Sequence, residues 1–234
     1  GGPEGNPKPK RDRHDKISVV VSKPKETPKE TPKELPKLDF PSTTLIYSKK
    51  FGGKTTLILN FIKKEDFDNI FVVSVSGHTG NLNDLCTDKD CMLDKISDEF
   101  IDKLLEMQKD SPGTQTLIIF DDFISGDINM KSSAMAKLAS SGRNFGISMI
   151  ISAQDVFRIP TIFRRNAEYL FAGSMTGSNI EGFTKEYATA SLPKKLMIKM
   201  LNDISRERTH DWLFHDYRNN VWQRVKGDQL DVKI

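Results

Sequence analysis

The sequence predicts an α/β fold in which a mainly parallel β-sheet is flanked by helices. Short β-rich runs alternate with segments of helical apolar spacing along most of the chain. Those runs are almost continuously apolar, as in Ile70–Val75 and Thr116–Phe120, which is what strands covered on both faces require. A third observation closes the sheet: Trp212–Phe214 and Val221–Val225, either side of Asp216–Asn220, read as a C-terminal hairpin on its edge.

Residues 1–38 read as a disordered basic tail rich in Pro, Lys and Glu, and residues 39–234 as the folded domain. Lys25–Glu26–Thr27–Pro28 recurs as Lys29–Glu30–Thr31–Pro32 and, imperfectly, as Lys33–Glu34–Leu35–Pro36, a run too poor in apolar surface to offset its ordering entropy. Its proline spacing favours an extended chain, serving either as a spacer or as a basic arm. Within it, Ile17–Val21 is a β-like island able to add an edge strand. The body begins with a strand at Thr43–Tyr47, a glycine-bearing loop, and a helix over Lys54–Lys64. A strand at Ile70–Val75 and a polar loop from Ser76 to Asp90 come next. Ile96–Gln108 is an amphipathic helix with Phe100, Ile101, Leu104 and Leu105 on one face. Thr116–Phe120, Ile147–Ser152 and Glu168–Ala172 are strands. Lys131–Ser141, Ser178–Tyr187 and Lys194–Asn202 are helices.

Composition narrows the function. The chain has 234 residues and a net charge of +3, but the first 38 residues alone carry ten Lys/Arg against six Asp/Glu. The body is therefore near −1, and nucleic-acid binding has to come from local patches. Two cysteines, Cys86 and Cys91, make no disulfide framework and are expected as reduced thiols in an intracellular protein; with His78 alone nearby they match no zinc spacing. No run approaches the ~18 apolar residues of a membrane span.

The segment Ser48–Lys49–Lys50–Phe51–Gly52–Gly53–Lys54–Thr55 is a P-loop pattern between a strand and a helix, with Ser48 in place of the first glycine. Gly52 and Gly53 let the backbone fold around a phosphate, and the following helix, opening with Lys54, Thr55 and Thr56, aims its unpaired N–H groups at the anion. Lys54 supplies an ammonium to the β- and γ-phosphates and Thr55 a hydroxyl to Mg²⁺. Ser48 has either to avoid positive φ or to carry ~1 kcal/mol of strain. An apolar strand then ends in Asp121–Asp122, 67 residues beyond Lys54, as a Walker B pair. Asp121 would serve Mg²⁺, and Asp122 would activate the attacking water, favouring ATP hydrolysis over phosphoryl transfer to a metabolite. Gln154, just past the next apolar strand, falls where a sensor could touch the γ-phosphate or that water. Arg143 and Arg164 are candidates for an arginine finger supplied to a neighbouring subunit, with Arg165 more readily a surface residue.

Together with Gly142–Arg143–Asn144, Gly146–Ile147–Ser148 and Ile162–Ala167, these residues resemble the FtsK–HerA superfamily, and within it the poxvirus-type genome-packaging ATPases of large DNA viruses and virophages. The resemblance runs from about Thr43 to Phe171. It implies a RecA-like core, a homo-oligomeric ring (usually a hexamer), and ATP-driven translocation of double-stranded DNA into a preformed capsid. It implies capsid-protein partners and a place at the host-cell assembly site or in the virion. By position it makes Gln154 the sensor and Arg143 and Arg164 the finger candidates. Two departures stand out, Ser48 for glycine and Asn144 where a histidine is common. A cellular or conjugative HerA-like translocase, a nucleotide kinase, and a non-hydrolysing module with a decayed P-loop are the competing readings.

Overall fold

The computed structural model describes residues 1, 2, 5, 31–74, 80–86, 91–122 and 132–227. The chain divides into Gly1–Thr31 and Pro32–Ile234, and the sheet and helices all belong to the second unit. The β-like island Ile17–Val21 lies outside the described residues, as do parts of the expected 76–90 loop. Pro32–Leu38, read from sequence as tail, packs on the body. Leu38 is buried and Leu35 rests against the core. Lys33 pairs with the strand at 221–225, its N–H donating to the Arg224 carbonyl at 2.9 Å and its carbonyl accepting from Lys226 N–H at 2.8 Å.

Eight strands form one sheet: β1 (Thr43–Tyr47), β2 (Asn69–Ser74), β3 (Met92–Leu93), β4 (Thr116–Asp121), β5 (Ile147–Ala153), β6 (Tyr169–Ala172), β7 (Trp212–Asp216) and β8 (Val221–Val225). Their spatial order is β3-β2-β4-β5-β1-β6-β7-β8. The first six run parallel, and β7 and β8 complete one edge antiparallel, as the C-terminal hairpin predicted. The helices are α1 (Lys54–Phe61), α2 (Asp98–Asp110), α3 (Ser133–Ser141), α4 (Thr161–Asn166), α5 (Gly177–Tyr187) and α6 (Lys194–Arg206).

Strand alternation divides the interior into two cores. Leu45, Tyr47, Ile118, Phe120, Met149 and Leu170 point to a face covered by α2 to α6. Ile46, Leu117, Ile119, Ile150 and Phe171 point to the face covered by α1, the 3₁₀ turn Gly80–Leu85 and Leu38. Both faces are dry, which is why the strands read as unbroken apolar runs.

Local signals set the helix ends. The Ser97 hydroxyl accepts from Phe100 N–H at 3.1 Å to cap α2, with Asp98 and Glu99 in the first turn, and Ser132 does the same for α3 through Met135 N–H. Helix α1 ends earlier than its apolar spacing suggests, because Ile62 turns extended and is buried against the second core. The loop before β3 also differs from expectation. Cys86 and Cys91 form a disulfide with Cα atoms 5.9 Å apart, in place of two reduced thiols; a separation of five residues is enough to bring the backbones within disulfide range. Among the described residues no helix is long and apolar enough to cross a membrane.

This topology places the chemistry. Strand β5 lies between β1 and β4, so the loop leaving β1, the acids ending β4 and the polar residue after β5 emerge side by side at the carboxyl end of the sheet.

Candidate nucleotide site

The loop after β1 is anchored on both sides. Ser48 N–H donates to the Ala153 carbonyl at the end of β5 (3.2 Å), and Lys49 N–H to the Ser174 carbonyl after β6 (2.7 Å). The loop turns back on itself through Gly52 N–H to the Lys49 carbonyl at 3.0 Å. Ser48 is fully buried with a negative φ, so the missing first glycine costs no left-handed strain there. The left-handed residues are instead Phe51 (φ 60°) and Gly53 (φ 92°), the latter at the start of α1. Gly52 is needed for a different reason: a Cβ there would sit 2.7 Å from Ser48 Oγ and 2.8 Å from the Lys49 carbonyl oxygen. The loop has closed around the serine side chain. Lys49, Lys50 and Phe51 form its exposed rim, Phe51 being 90% accessible.

Lys54 is buried at the first position of α1, and its ammonium lies 3.5 Å from Asp122 Oδ1, although the two are 68 residues apart. Thr55 and Thr56 follow on the first turn, half-buried. Asp121, the last residue of β4, shares its environment with Lys54, Asp122 and Ser152. Burial pushes its carboxyl above the ordinary value and the Asp122 charge adds to that. Lys54 and a hydrogen bond from Ser152 Oγ (3.4 Å) pull the other way. Ser152 also accepts from Asp122 N–H at 2.9 Å, holding the residue after the strand at φ 52°. Sequence reasoning passed over Ser152, although it stands two residues before Gln154 in the sensor strand. Gln154 follows β5 directly, and its carbonyl accepts from Asn179 Nδ2 at 3.0 Å, tying the strand end to α5. Also unforeseen is the approach of His210 and Trp212, whose side chains face Gly53.

The chemistry of this cluster fits a polyphosphate with a divalent cation. One buried ammonium, the N-terminal turn of α1, a hydroxyl and two adjacent carboxylates meet at one end of the sheet. Among the described residues no three His, Cys, Asp or Glu side chains converge on a metal, so a cation here would depend on Thr55, Asp121 and the phosphates themselves.

The two arginines lie elsewhere. Arg143, between α3 and β5, is ion-paired with the buried Glu168 just before β6 and donates to the Asn166 carbonyl at 3.2 Å. Arg164 on α4 is ion-paired with Glu186 and donates to the Ile159 carbonyl (2.9 Å) and to Thr161 Oγ1 (3.1 Å). Glu168 and Asn144 mark the amino ends of β6 and β5, opposite the P-loop. An open hollow of about 490 Å³ adjoins Arg143 there, between Asn144, Arg165, Asn166 and Arg218.

A protein-family model described as Poxvirus A32 protein matches residues 83–214, a span that holds Asp121, Asp122, Arg143, Gln154 and Arg164 and begins after the P-loop. No curated protein matches. Among solved structures, the chain is similar to the genome packaging NTPase B204 from Sulfolobus turreted icosahedral virus 2 in complex with AMPPCP, at 16% identity and a TM-score of 0.56, covering 79% of this chain and 96% of that one. It is similar to the pCW3 conjugation coupling protein TcpA with ATPγS, at 15% identity and a TM-score of 0.51, covering 80% of this chain and 61% of that one. The cytoplasmic domain of the Thermomonospora curvata type VII secretion ATPase EccC matches at 12% identity and a TM-score of 0.50, over 79% of this chain and 23% of that one. At such identities the likeness is one of fold, that of P-loop NTPases.

Proposed function

This chain belongs to the Poxvirus A32 protein family, and from that premise we propose that it is an ATPase that drives double-stranded DNA into a viral capsid. One observation carries the reading: the Lys54 ammonium stands beside the Asp121–Asp122 pair, which the chain reaches only after two further strands and a helix. The packaging NTPase B204, a neighbour in fold, has been crystallised with ATPγS, AMP and AMPPCP, which supports a nucleotide as the ligand of this end of the sheet.

In this reading the α1 N-terminus and the amides of Gly52 and Gly53 cradle the β-phosphate, and Lys54 bridges the β- and γ-phosphates. Thr55 and Asp121 would hold Mg²⁺, which would supply positive charge against the polyphosphate. Asp121 suits that place, because a carboxylate desolvated beside a second one gains from a cation. Asp122 accepts the proton of the attacking water, with Ser152 fixing its backbone. Gln154 orients that water or touches the γ-phosphate from the neighbouring strand. Arg143 and Arg164 are each ion-paired with a glutamate rather than with the Lys54–Asp122 cluster, so a finger role for either would be played toward an adjacent copy in a homo-oligomeric ring.

DNA is gripped through phosphates, independent of sequence and sensitive to salt. Lys194, Lys195 and Lys199 on the exposed face of α6, with Arg206 at its end and Arg208 beyond, are candidates for that contact. Capsid proteins are the remaining partners, met at the host-cell assembly site.

The test is ATP turnover with and without duplex DNA, measured on an oligomer of known size. Duplex DNA is expected to raise release of free phosphate, and added salt to reverse the increase. Turnover indifferent to DNA at every oligomeric size overturns the translocase reading, and a phosphorylated acceptor in place of free phosphate makes the protein a kinase.

A further inference from the structure

At the amino end of the sheet, away from the P-loop, a second hollow of about 270 Å³ opens between the end of α4, the end of α5 and the β7–β8 hairpin. Its walls are Tyr187, Tyr217, His215 and Trp222, with the Arg164–Glu186 ion pair at one side. His215 and Trp222 are cross-strand partners, their rings 4.0 Å apart, and Tyr217 meets the imidazole edge-on at 4.4 Å.

The Tyr187 hydroxyl is engaged with that of Tyr47 at 3.0 Å, but the ring nitrogens of His215 and Trp222 are less well served. His215 is 4% exposed; the Asn220 side chain interacts with its imidazole but falls short of a well-formed hydrogen bond, and the buried Trp222 Nε1 completes none. Burial lowers the imidazole's basicity, and the nearby Asn220 side chain offsets only part of that. Three of the eight unsatisfied side-chain atoms among the described residues, two of them on the one His215 ring, belong to residues that line this hollow. Arg165 and Tyr217 also line the larger hollow next to it, where Arg218 joins them. Both arginines are exposed, and among the described residues neither has a carboxylate partner.

Flat aromatic walls with unsatisfied ring nitrogens select a planar heterocycle with hydrogen-bonding edges. Unpaired guanidinium groups at the mouth select an anion attached to it. We propose that the two hollows form a second nucleotide site, with the base among His215, Tyr217 and Trp222 and the phosphate on Arg165 and Arg218. The ligand is a free mononucleotide or the end of a single strand, which share this chemistry. The site is independent of Lys54, because both hollows lie at the amino end of the sheet, opposite the P-loop.

Photolabelling of the full chain with an azidoadenosine monophosphate, followed by peptide mapping, tests this. Label is expected on the peptide holding Tyr217 and Trp222, in the wild type and in Lys54→Ala alike, whereas label on the P-loop peptide depends on Lys54; the two sites thus fail separately. Arg165→Ala, at an exposed position that leaves folding intact, weakens the hairpin label about tenfold. His215→Phe keeps the ring and abolishes the label. AMP competing better than a short single-stranded oligonucleotide identifies a free nucleotide, and the reverse order identifies a strand end. No label on the hairpin, label there that requires Lys54, label unaffected by Arg165→Ala, or competition by inorganic phosphate equal to that by AMP overturns the proposal.

Discussion

Replacing Gly52 with alanine tests how the P-loop is packed. The new Cβ would lie 2.7 Å from Ser48 Oγ, 2.8 Å from the Lys49 carbonyl oxygen and 3.0 Å from Ser48 Cβ, all well inside ordinary contact distance. The serine hydroxyl can swing away, since it is held only by a 3.2 Å bond to the Lys49 carbonyl. That carbonyl cannot, because its residue is pinned through Lys49 N–H to Ser174 at 2.7 Å and it accepts from Gly52 N–H at 3.0 Å. Overpacking of this kind costs about 1–3 kcal/mol of stability; the loop relieves it by leaving the closed form, and re-closing it around ATP then lowers affinity by up to roughly a hundredfold. Adding Ser48→Gly removes two of the three close contacts and leaves the carbonyl, so the double variant recovers part of the loss and not all of it. Titration with a non-hydrolysable ATP analogue, alongside thermal unfolding, reads both effects. Wild-type affinity in Gly52→Ala, or complete recovery in the double variant, refutes a loop closed over Ser48.

Other substitutions probe the site and its supports. Lys54→Ala abolishes turnover, and Asp122→Ala stops turnover while sparing nucleotide binding; phosphate release by Lys54→Ala would reject the site. Asp121→Asn ends Mg²⁺-dependent turnover yet stabilises the unliganded protein by about 0.5–2 kcal/mol. The raised Asp121 carboxyl makes its ionisation costly to the fold, so this gain is full above the raised pKa and vanishes as pH falls below the ordinary carboxylate range; a melting difference that grows in acid contradicts it. Gln108→Leu strips the amide that donates to the Thr114 and Phe145 carbonyls and accepts from Thr116, lowering stability by about 2–3 kcal/mol in denaturant unfolding. Arg143→Ala leaves the Glu168 carboxylate buried without its counter-ion and costs about 3–5 kcal/mol, whereas Arg143→Ala with Glu168→Gln recovers most of it; an unchanged melting point in the single variant refutes the pairing.

What the sequence showed was local or periodic. Gly52–Gly53–Lys54 between a strand and a helix, and an apolar run ending in Asp121–Asp122, are signals carried within ten residues, and both lie where they were expected at the carboxyl end of the sheet. Helix α4 has six residues and β3 has two, too few for any period to emerge. Partner choice was equally hidden. Nothing near Arg143 in the chain announces Glu168, and nothing near Arg164 announces Glu186, because those glutamates arrive by tertiary packing. The segment 32–38 reads as tail because Leu35 and Leu38 are its sole large apolar residues. What secures it is β8, which the chain supplies some 190 residues later.

The ends of the sheet bear on how hydrolysis would be coupled between subunits. A five-residue parallel strand spans roughly 15 Å, longer than an arginine side chain can bridge, so Arg143, at the amino end of the sheet beside Glu168, is remote from a phosphate held by its own P-loop. Arg143 and Arg164 each have a glutamate within their own chain, and for Arg143 that glutamate is almost fully buried. A finger built on Arg143 would therefore exchange one anionic partner for another. Leaving Glu168 is unfavourable, because the carboxylate would stay desolvated, though Thr43 N–H still donates to its Oε2 at 2.6 Å. The triphosphate of an adjacent copy would offer comparable charge, and its terminal group is lost on hydrolysis. If the proposed ring forms and Arg143 is its finger, the Arg143–Glu168 pair would be the state favoured after phosphate release and disfavoured before it, giving each subunit two arrangements whose balance would follow the neighbour's nucleotide.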